Sequence, residues 1–276
     1  FPITKNKINK LNVRFNSSFG RHLEYYTGLV FKIDIKSKSE KLNIKGDLIW
    51  RILPHMIAEL FLFSSTASDE NSPNTTLDQY IERMNNDSDK IYFSIADTFE
   101  AAANSPHIEN LKANGTEVLL LTDRIDEWLM STLMQFKGKE LVNVAKEELE
   151  EGAKKPRVTK EKQEIINKMK KSLEHRVTDV IASSRLVDSA ACLVLSKNEP
   201  GAQLKRILEA SGQTFEDSKP VFEVNLKHKL IKKLGAMSGK EFNNFAEFLF
   251  DYAVIAEGGS PKDPSKYLRQ LDKYLG

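Results

Sequence analysis

The sequence predicts an α/β unit followed by an α+β unit that closes on two helices with broad apolar faces. Three observations lead there. Two strand-like runs, Ile91-Tyr92-Phe93-Ser94-Ile95 and Val118-Leu119-Leu120-Leu121, are separated by helical patterns, as in a βαβ unit. A charged stretch over 145–175 breaks the chain in two. The last 40 or so residues carry aromatic and aliphatic side chains at helical spacing.

The composition suits folded domains. The 276 residues are 40% hydrophobic and 29% charged, enough for one large domain or two ordinary ones. Forty-one basic and 39 acidic residues leave a net charge of +2, which offers nucleic acid or an anionic membrane no general attraction. Neither partner is expected. A single cysteine, Cys192, excludes an internal disulfide and fits a reducing compartment, so a cytoplasmic location is expected. No apolar run approaches the roughly 20 residues that span a bilayer. Phe1-Pro2-Ile3-Thr4-Lys5 lacks signal-peptide organisation, and the absence of an initiator Met suggests a fragment or processed form.

Residues 1–65 form a divergent segment that receives no role. Leu29-Val30-Phe31-Lys32-Ile33-Asp34-Ile35 alternates like a strand, and Pro54 interrupts the apolar pattern from Leu48 to Phe63. Residues 66–75 are a polar loop by composition. Leu77, Tyr80, Ile81 and Met84 then share one helical face. The strand 91–95 follows, and Asp97 is placed to cap the next helix. Asn104-Ser105-Pro106 restarts a helix with Ser as cap and Pro at its first position, and Gly115 ends it. The strand at 117–121 then pairs in parallel with the first through a right-handed crossover. Thr122-Asp123-Arg124-Ile125-Asp126-Glu127-Trp128-Leu129 reads as a tight turn into a helix capped by Asp123. Phe136-Lys137-Gly138-Lys139-Glu140-Leu141 reads as a hairpin. The charges over 145–175 suit a solvated helix or tether, so the boundary between units falls there. Beyond it, strands are expected near 176–182, 190–195 and 220–225. A short helix carries Leu204, Ile207 and Leu208 on one face. A helix from Glu241 to Ala256 and another opened by Asp263-Pro264 end the chain.

Several segments together resemble one family. They are Phe63-Ser64-Ser65-Thr66, Lys90-Ile91-Tyr92-Phe93, Asn104-Ser105-Pro106-His107, the Asp123-to-Trp128 block and Phe136-Lys137-Gly138-Lys139. The series continues with Arg185-Leu186-Val187-Asp188-Ser189-Ala190-Ala191-Cys192-Leu193-Val194, Phe222-Glu223-Val224-Asn225 and Asp251-to-Gly258. In this order they resemble the heat-shock protein 90 chaperones, of the bacterial high-temperature protein G type. The resemblance covers residues 61–276.

It implies a mixed α/β and α+β architecture: residues 66–145 as the last α/β subdomain of the chaperone's middle domain, and 146–276 as the C-terminal dimerisation domain ending in two bundle-forming helices. It implies a stress-response chaperone module that binds unfolded or partly folded client proteins and forms a homodimer. The full-length family binds Mg-ATP and hydrolyses it. The ATP-binding domain and the segment bearing the γ-phosphate-contacting Arg do not occur in this sequence, so no cofactor and no ATPase activity are expected of this chain alone. Client contact is expected from Glu127, Trp128 and Ser131, where relatives often have Asn at the last position. It is also expected from Leu204, Ile207 and Leu208, where relatives often have Met. The dimer interface is expected from Phe245, Phe248, Leu249, Tyr252, Tyr267, Leu268, Leu271 and Leu275.

Alternatives stand beside these readings. Trp128 either faces solvent or packs under the 136–141 hairpin. The 204–208 face is either a binding patch or a plain core contact. A different class of function, a small-molecule or nucleotide-binding α/β enzyme, would use the strand ends near Asp97 and Asp123. Against it, there is no glycine-rich phosphate loop and no nucleophile elbow, and the five His residues show no metal-ligand spacing. No catalytic residue and no metal ligand are assigned. Cys192, inside an apolar run, reads as a buried inert thiol.

Overall fold

Five strands build the first sheet, in the order β1-β3-β2-β5-β4. They are β1 (Ser64–Ser65), β2 (Lys90–Ile95), β3 (Leu119–Leu121), β4 (Gln135–Phe136) and β5 (Lys139–Asn143). This is a computed structural model. It describes residues 58–275 except 69–70, 86–87, 124–125, 147–157, 197–198, 200–204 and 206–218. The strand expected at 29–35, Pro54 and the helix bearing Leu204, Ile207 and Leu208 therefore lie outside the described residues.

β2 runs parallel to β3, as the βαβ reading predicts, and parallel to β5 on its other side. Leu119 and Leu121 of β3 enter one core with Phe61, Phe63, Leu77, Tyr80, Ile91 and Phe93. Leu120 enters the opposite core with Ala102, Ile108, Val118 and Val144. The run Val118-Leu119-Leu120-Leu121 is apolar throughout because both faces of this strand are covered. Helices α1 (Leu77–Arg83) and α4 (Asp126–Thr132) cover the first face; α2 (Phe99–Ala103) and the 3-10 turn Pro106–Ile108 cover the second, and α3 (Glu109–Ala113) follows that turn. This unit begins before residue 66. Ala58, Phe61 and Phe63 are buried in its core, and Phe63 bridges Thr75.

Caps set the helix starts. Thr76 and Gln79 form a reciprocal capping box on α1. α2 is capped by Thr98, whose hydroxyl accepts from the Ala101 N–H, not by Asp97 as expected. Ser105 caps the turn that Pro106 opens, and Gly115 takes the left-handed conformation (φ 72°) that ends α3. The β4–β5 hairpin closes through Lys137 and Gly138, both at positive φ, the geometry of a two-residue primed turn.

The second unit has a three-stranded sheet, β6 (Asp179–Ala182), β8 (Val221–Val224) and β7 (Ala191–Val194), in that order. β6 is parallel to β8, and β7 antiparallel to it. Helices α5 (Lys160–Ser172), α6 (Lys229–Gly235) and α7 (Gly239–Ala256) share one core with this sheet, and α8 (Pro264–Leu275) packs against that core. α5 lies in the stretch expected to be a solvated connector. Its charged residues do face out, but Ile166 and Met169 are buried in the second core, so it belongs to the second unit. Asp263 caps α8, its Oδ1 accepting from the Lys266 N–H at 2.8 Å.

Polar side chains join the two units. The Arg185 side chain, in the loop between β6 and β7, is 2% exposed. Its Nε and Nη2 donate to the Glu223 carboxylate, each at 3.1 Å, and its Nη1 donates to the Val144 carbonyl at 2.6 Å. Glu109, on α3, accepts from the backbone N–H groups of Val187, Asp188 and Ser189 at 2.6, 2.8 and 3.0 Å. The Asn110 N–H donates to the Arg185 carbonyl, and the Leu195 N–H to that of Ala145. Partial burial raises the Glu109 carboxyl, but the Ser189 hydroxyl and the three N–H groups outweigh it and hold the group below its ordinary value.

Candidate functional site

α4 follows the short turn that leaves β3. The Asp126 side chain turns back on that turn, and its Oδ2 accepts from the Asp123 N–H at 2.8 Å. This is the bond that the third residue of a helix makes back to its cap residue in a capping box, with Asp123 at the cap position. Asp126 Oδ1 is buried without a hydrogen-bond partner, and burial pushes the carboxyl up to about 6. Glu127 is buried as well, at 4% exposure, and pairs with Lys146 Nζ at 3.1 Å. This corrects the expectation of an exposed Glu. Lys146, at the end of the β5 strand-turn, covers the carboxylate and leaves little of it for another protein.

Leu129, Met130 and Leu133 anchor α4 in the first core. The outward remainder is Ser131, which is exposed, and Met134, which is 69% exposed just beyond the helix. Trp128 lies on α4, and its side chain is outside the described part. A depression of about 320 Å³ runs beside the helix, lined by Ile95, Met130, Ser131, Met134 and the Glu127–Lys146 pair. No sequence pattern marks Met130, which is on α4, or Met134, which is in the segment after it; the chain leaving the helix brings both to the groove. Thioether side chains at a groove adapt to varied apolar partners.

The terminal helices form the second surface. Phe245, Phe248 and Leu249 lie in the protomer's own core. Tyr274 meets the Phe245 ring edge-on at 4.6 Å, and Tyr267 stacks on Phe248 at 5.2 Å. The expectation that Phe245, Phe248 and Leu249 reach a partner is thereby corrected: side chains covered by their own α8 have no surface left to give. Leu271 is half-buried against the same core, and Tyr252 is half-buried on α7. Leu268 is 57% exposed, and Ile255, which the sequence reading passed over, is 43% exposed. Leu275 ends α8, with its side chain outside the described part.

Among the described residues no cluster of His, Cys, Asp and Glu could hold a metal ion, and no helix is long and apolar enough to cross a membrane. Cys192 is fully buried, and burial pushes its thiol well up. The turn after β3, the place where an α/β fold could seat a phosphate, is filled by Asp126's own carboxylate and flanked by Glu127.

Comparison with known proteins places the chain. The model of the Hsp90 protein family matches residues 37–276, beginning upstream of the stretch whose motifs carry the resemblance. "Chaperone protein HtpG" of Chromobacterium violaceum is 43% identical over 228 residues, covering 79% of this chain and 36% of that protein. "Chaperone protein HtpG" of Colwellia psychrerythraea is 41% identical over 228 residues, covering 79% of this chain and 35% of that protein. The chain spans about a third of the length of the curated relatives it matches.

Proposed function

The chain belongs to the Hsp90 protein family, and from that membership we propose that it supplies the client-contacting and self-associating part of an ATP-dependent cytoplasmic chaperone. Nucleotide would bind elsewhere in the full-length protein. The observation that carries the reading is where apolar side chains are left exposed. Met134 stands beside the α4 groove, and Leu268 and Ile255 stand on the terminal helices. The protomer's own cores use none of the three fully, whereas Phe242, Phe245, Phe248, Leu249 and Phe250 of α7, and Leu129, Met130 and Leu133 in and just after α4, are buried.

The mechanism is avidity. Two protomers joined through α7 and α8 present two copies of the α4 groove, so a client held weakly at one copy meets the second at high effective concentration. Ser131 and the Glu127–Lys146 pair give the groove a polar rim, while the methionines give it an adaptable floor.

Sedimentation equilibrium tests the self-association. The double substitution Ile255→Asp, Leu268→Asp should give monomers with an unchanged circular-dichroism spectrum. A dimer that persists at the wild-type affinity overturns this account. Deleting residues 263–276 is the blunter experiment, since it also strips Tyr267 and Tyr274 from the second core. For nucleotide, Mg-ATP should leave the melting temperature of the chain unmoved, because a ligand that binds only the native state raises it.

A further inference from the structure

The joint between the units has a side chain of the first unit threaded between two parts of the second. His107 lies in the 3-10 turn Pro106–Ile108 and is buried. On one side its Nδ1 meets Arg185 Nη1 at 3.3 Å. On the other its Nε2 meets Glu257 Oε1 at 2.8 Å. Arginine has only donors and an ionised carboxylate only acceptors. His107 must therefore accept at Nδ1 and donate at Nε2, which fixes its tautomer and the direction of the whole chain. Arg185 donates to Glu223 and to His107, and His107 donates to Glu257.

Glu257 stands at a mechanically important place. It is the C-cap residue of α7, its N–H donating to the Ala253 carbonyl at 3.1 Å. Gly258 follows at φ 74°, in the left-handed region, and the chain turns there toward α8. Glu257 Oε1 also accepts from the Leu193 N–H on β7 at 3.3 Å. The corner of the α7–α8 pair is thus pinned to its own sheet by one bond and to the first unit by another.

We propose that His107 is a positioning residue which makes the orientation of the terminal helix pair follow that of the α/β unit. Apolar packing permits small rotations with little change in energy, but a buried donor–acceptor chain holds only within narrow angles. Any rotation of the α/β unit carries His107 with it. The α7–α8 corner then either follows or loses the bond to Glu257. Coupling of this kind needs no contact between the α4 groove and the terminal helices, and no assumption about what either surface binds.

Distances measured by pulsed electron paramagnetic resonance test it. Spin labels go on Glu100→Cys in α2 and Arg269→Cys in α8, both exposed; Cys192, fully buried, stays unlabelled. Labelled chain is diluted into excess unlabelled chain so that only distances within one protomer are read. The otherwise native chain should give one narrow distance distribution. His107→Ala and Glu257→Ala should each lose it, giving a broadened or second population, with circular dichroism retained. Glu257→Gln, which keeps an acceptor oxygen, should recover most of the narrow distribution. Should His107→Ala not fold, His107→Phe takes its place: it fills the space, leaves Glu257 its bond to Leu193, and should broaden the distribution in the same way. A narrow distribution unchanged in Glu257→Ala overturns the proposal, as does a broad one in the otherwise native chain.

Discussion

The core under the terminal helices and the joint between the units are built from opposite materials. The core packs Phe245, Phe248, Tyr267 and Tyr274 ring against ring. The joint is bonded through Arg185, His107, Glu109, Glu223 and Glu257. In the sequence the aromatic stripe looks like an interface; in the structure Phe245 and Phe248 are buried within the protomer, as are Arg185, His107 and Glu223 at the joint. Large apolar side chains satisfy any neighbour of the right shape, so a protomer can consume them internally. Buried charges are kept only where their partners are fixed: Glu223 of the same unit fixes Arg185, and the Val144 carbonyl and His107 of the other unit complete its hydrogen bonds.

The sharpest way to break this contrast is to remove one member of each. Arg185→Ala leaves the Glu223 carboxylate buried without its cation and should cost about 3–5 kcal/mol in urea denaturation. Phe245→Ala should cost about as much, roughly 3–5 kcal/mol, through the cavity it leaves. Conservative replacements then separate the two. Phe245→Leu should recover most of the loss, because volume and apolarity suffice there. Arg185→Lys should recover little, because one ammonium cannot replace a guanidinium that donates to Glu223 from two nitrogens and to the Val144 carbonyl from a third. Equal recovery at both sites would dissolve the distinction.

How much of this was legible follows from the range of the physics. The strands 91–95 and 117–121, the Ser105-Pro106 start, the Gly115 stop and the Lys137-Gly138 turn are local signals, and each appears in the structure. The cap at Thr98 was misplaced by one residue, since neighbouring Asp and Thr are near-equal candidates. The charges of α5 outnumber its apolar residues and read as a connector, yet Ile166 and Met169 suffice to bury one face. The joint was invisible. His107 and Glu257 are 150 residues apart, and nothing local marks either as one half of a pair. For the same reason Glu127 reads as surface until Lys146 is seen to cover it.

Two carboxylates sharpen the comparison through pH. Glu109, held below its ordinary value, contributes stability that is present above pH 4.5 and is lost as pH falls through its folded value. Asp126 has the opposite sign. Its folded value, about 6, lies above the ordinary 3.8, so its contribution is present below about pH 4 and is lost as pH rises through 6. Asp126→Asn should therefore raise stability at pH 7.5 by about 1–3 kcal/mol, an advantage that shrinks toward pH 4. Glu109→Gln should lower stability at pH 7.5 by about 1–2 kcal/mol, with a deficit that narrows in acid. Melting temperatures of both variants from about pH 2 to pH 8 check the signs. Parallel curves would mean that neither carboxyl departs from its ordinary titration.

The smallest effect within the protomer belongs to Leu268, and it bears hardest on what the terminal helices do. Its side chain is largely exposed on α8, so Leu268→Ser should change the stability of the monomer by no more than about 0.5 kcal/mol. Phe248, about two turns before the end of α7 and covered by Tyr267, cannot be changed so cheaply. If α7 and α8 meet their copies across a two-fold axis, each substitution counts twice in the dimer. A loss of about 0.7 kcal/mol per copy then weakens self-association about tenfold. Sedimentation equilibrium at several loadings reads the second quantity, and denaturation of dilute protein reads the first. A fall in both together would place Leu268 with the aromatic core. A fall in association alone would place it on the outer face, doing for a second protomer what Phe245 and Phe248 do only for their own.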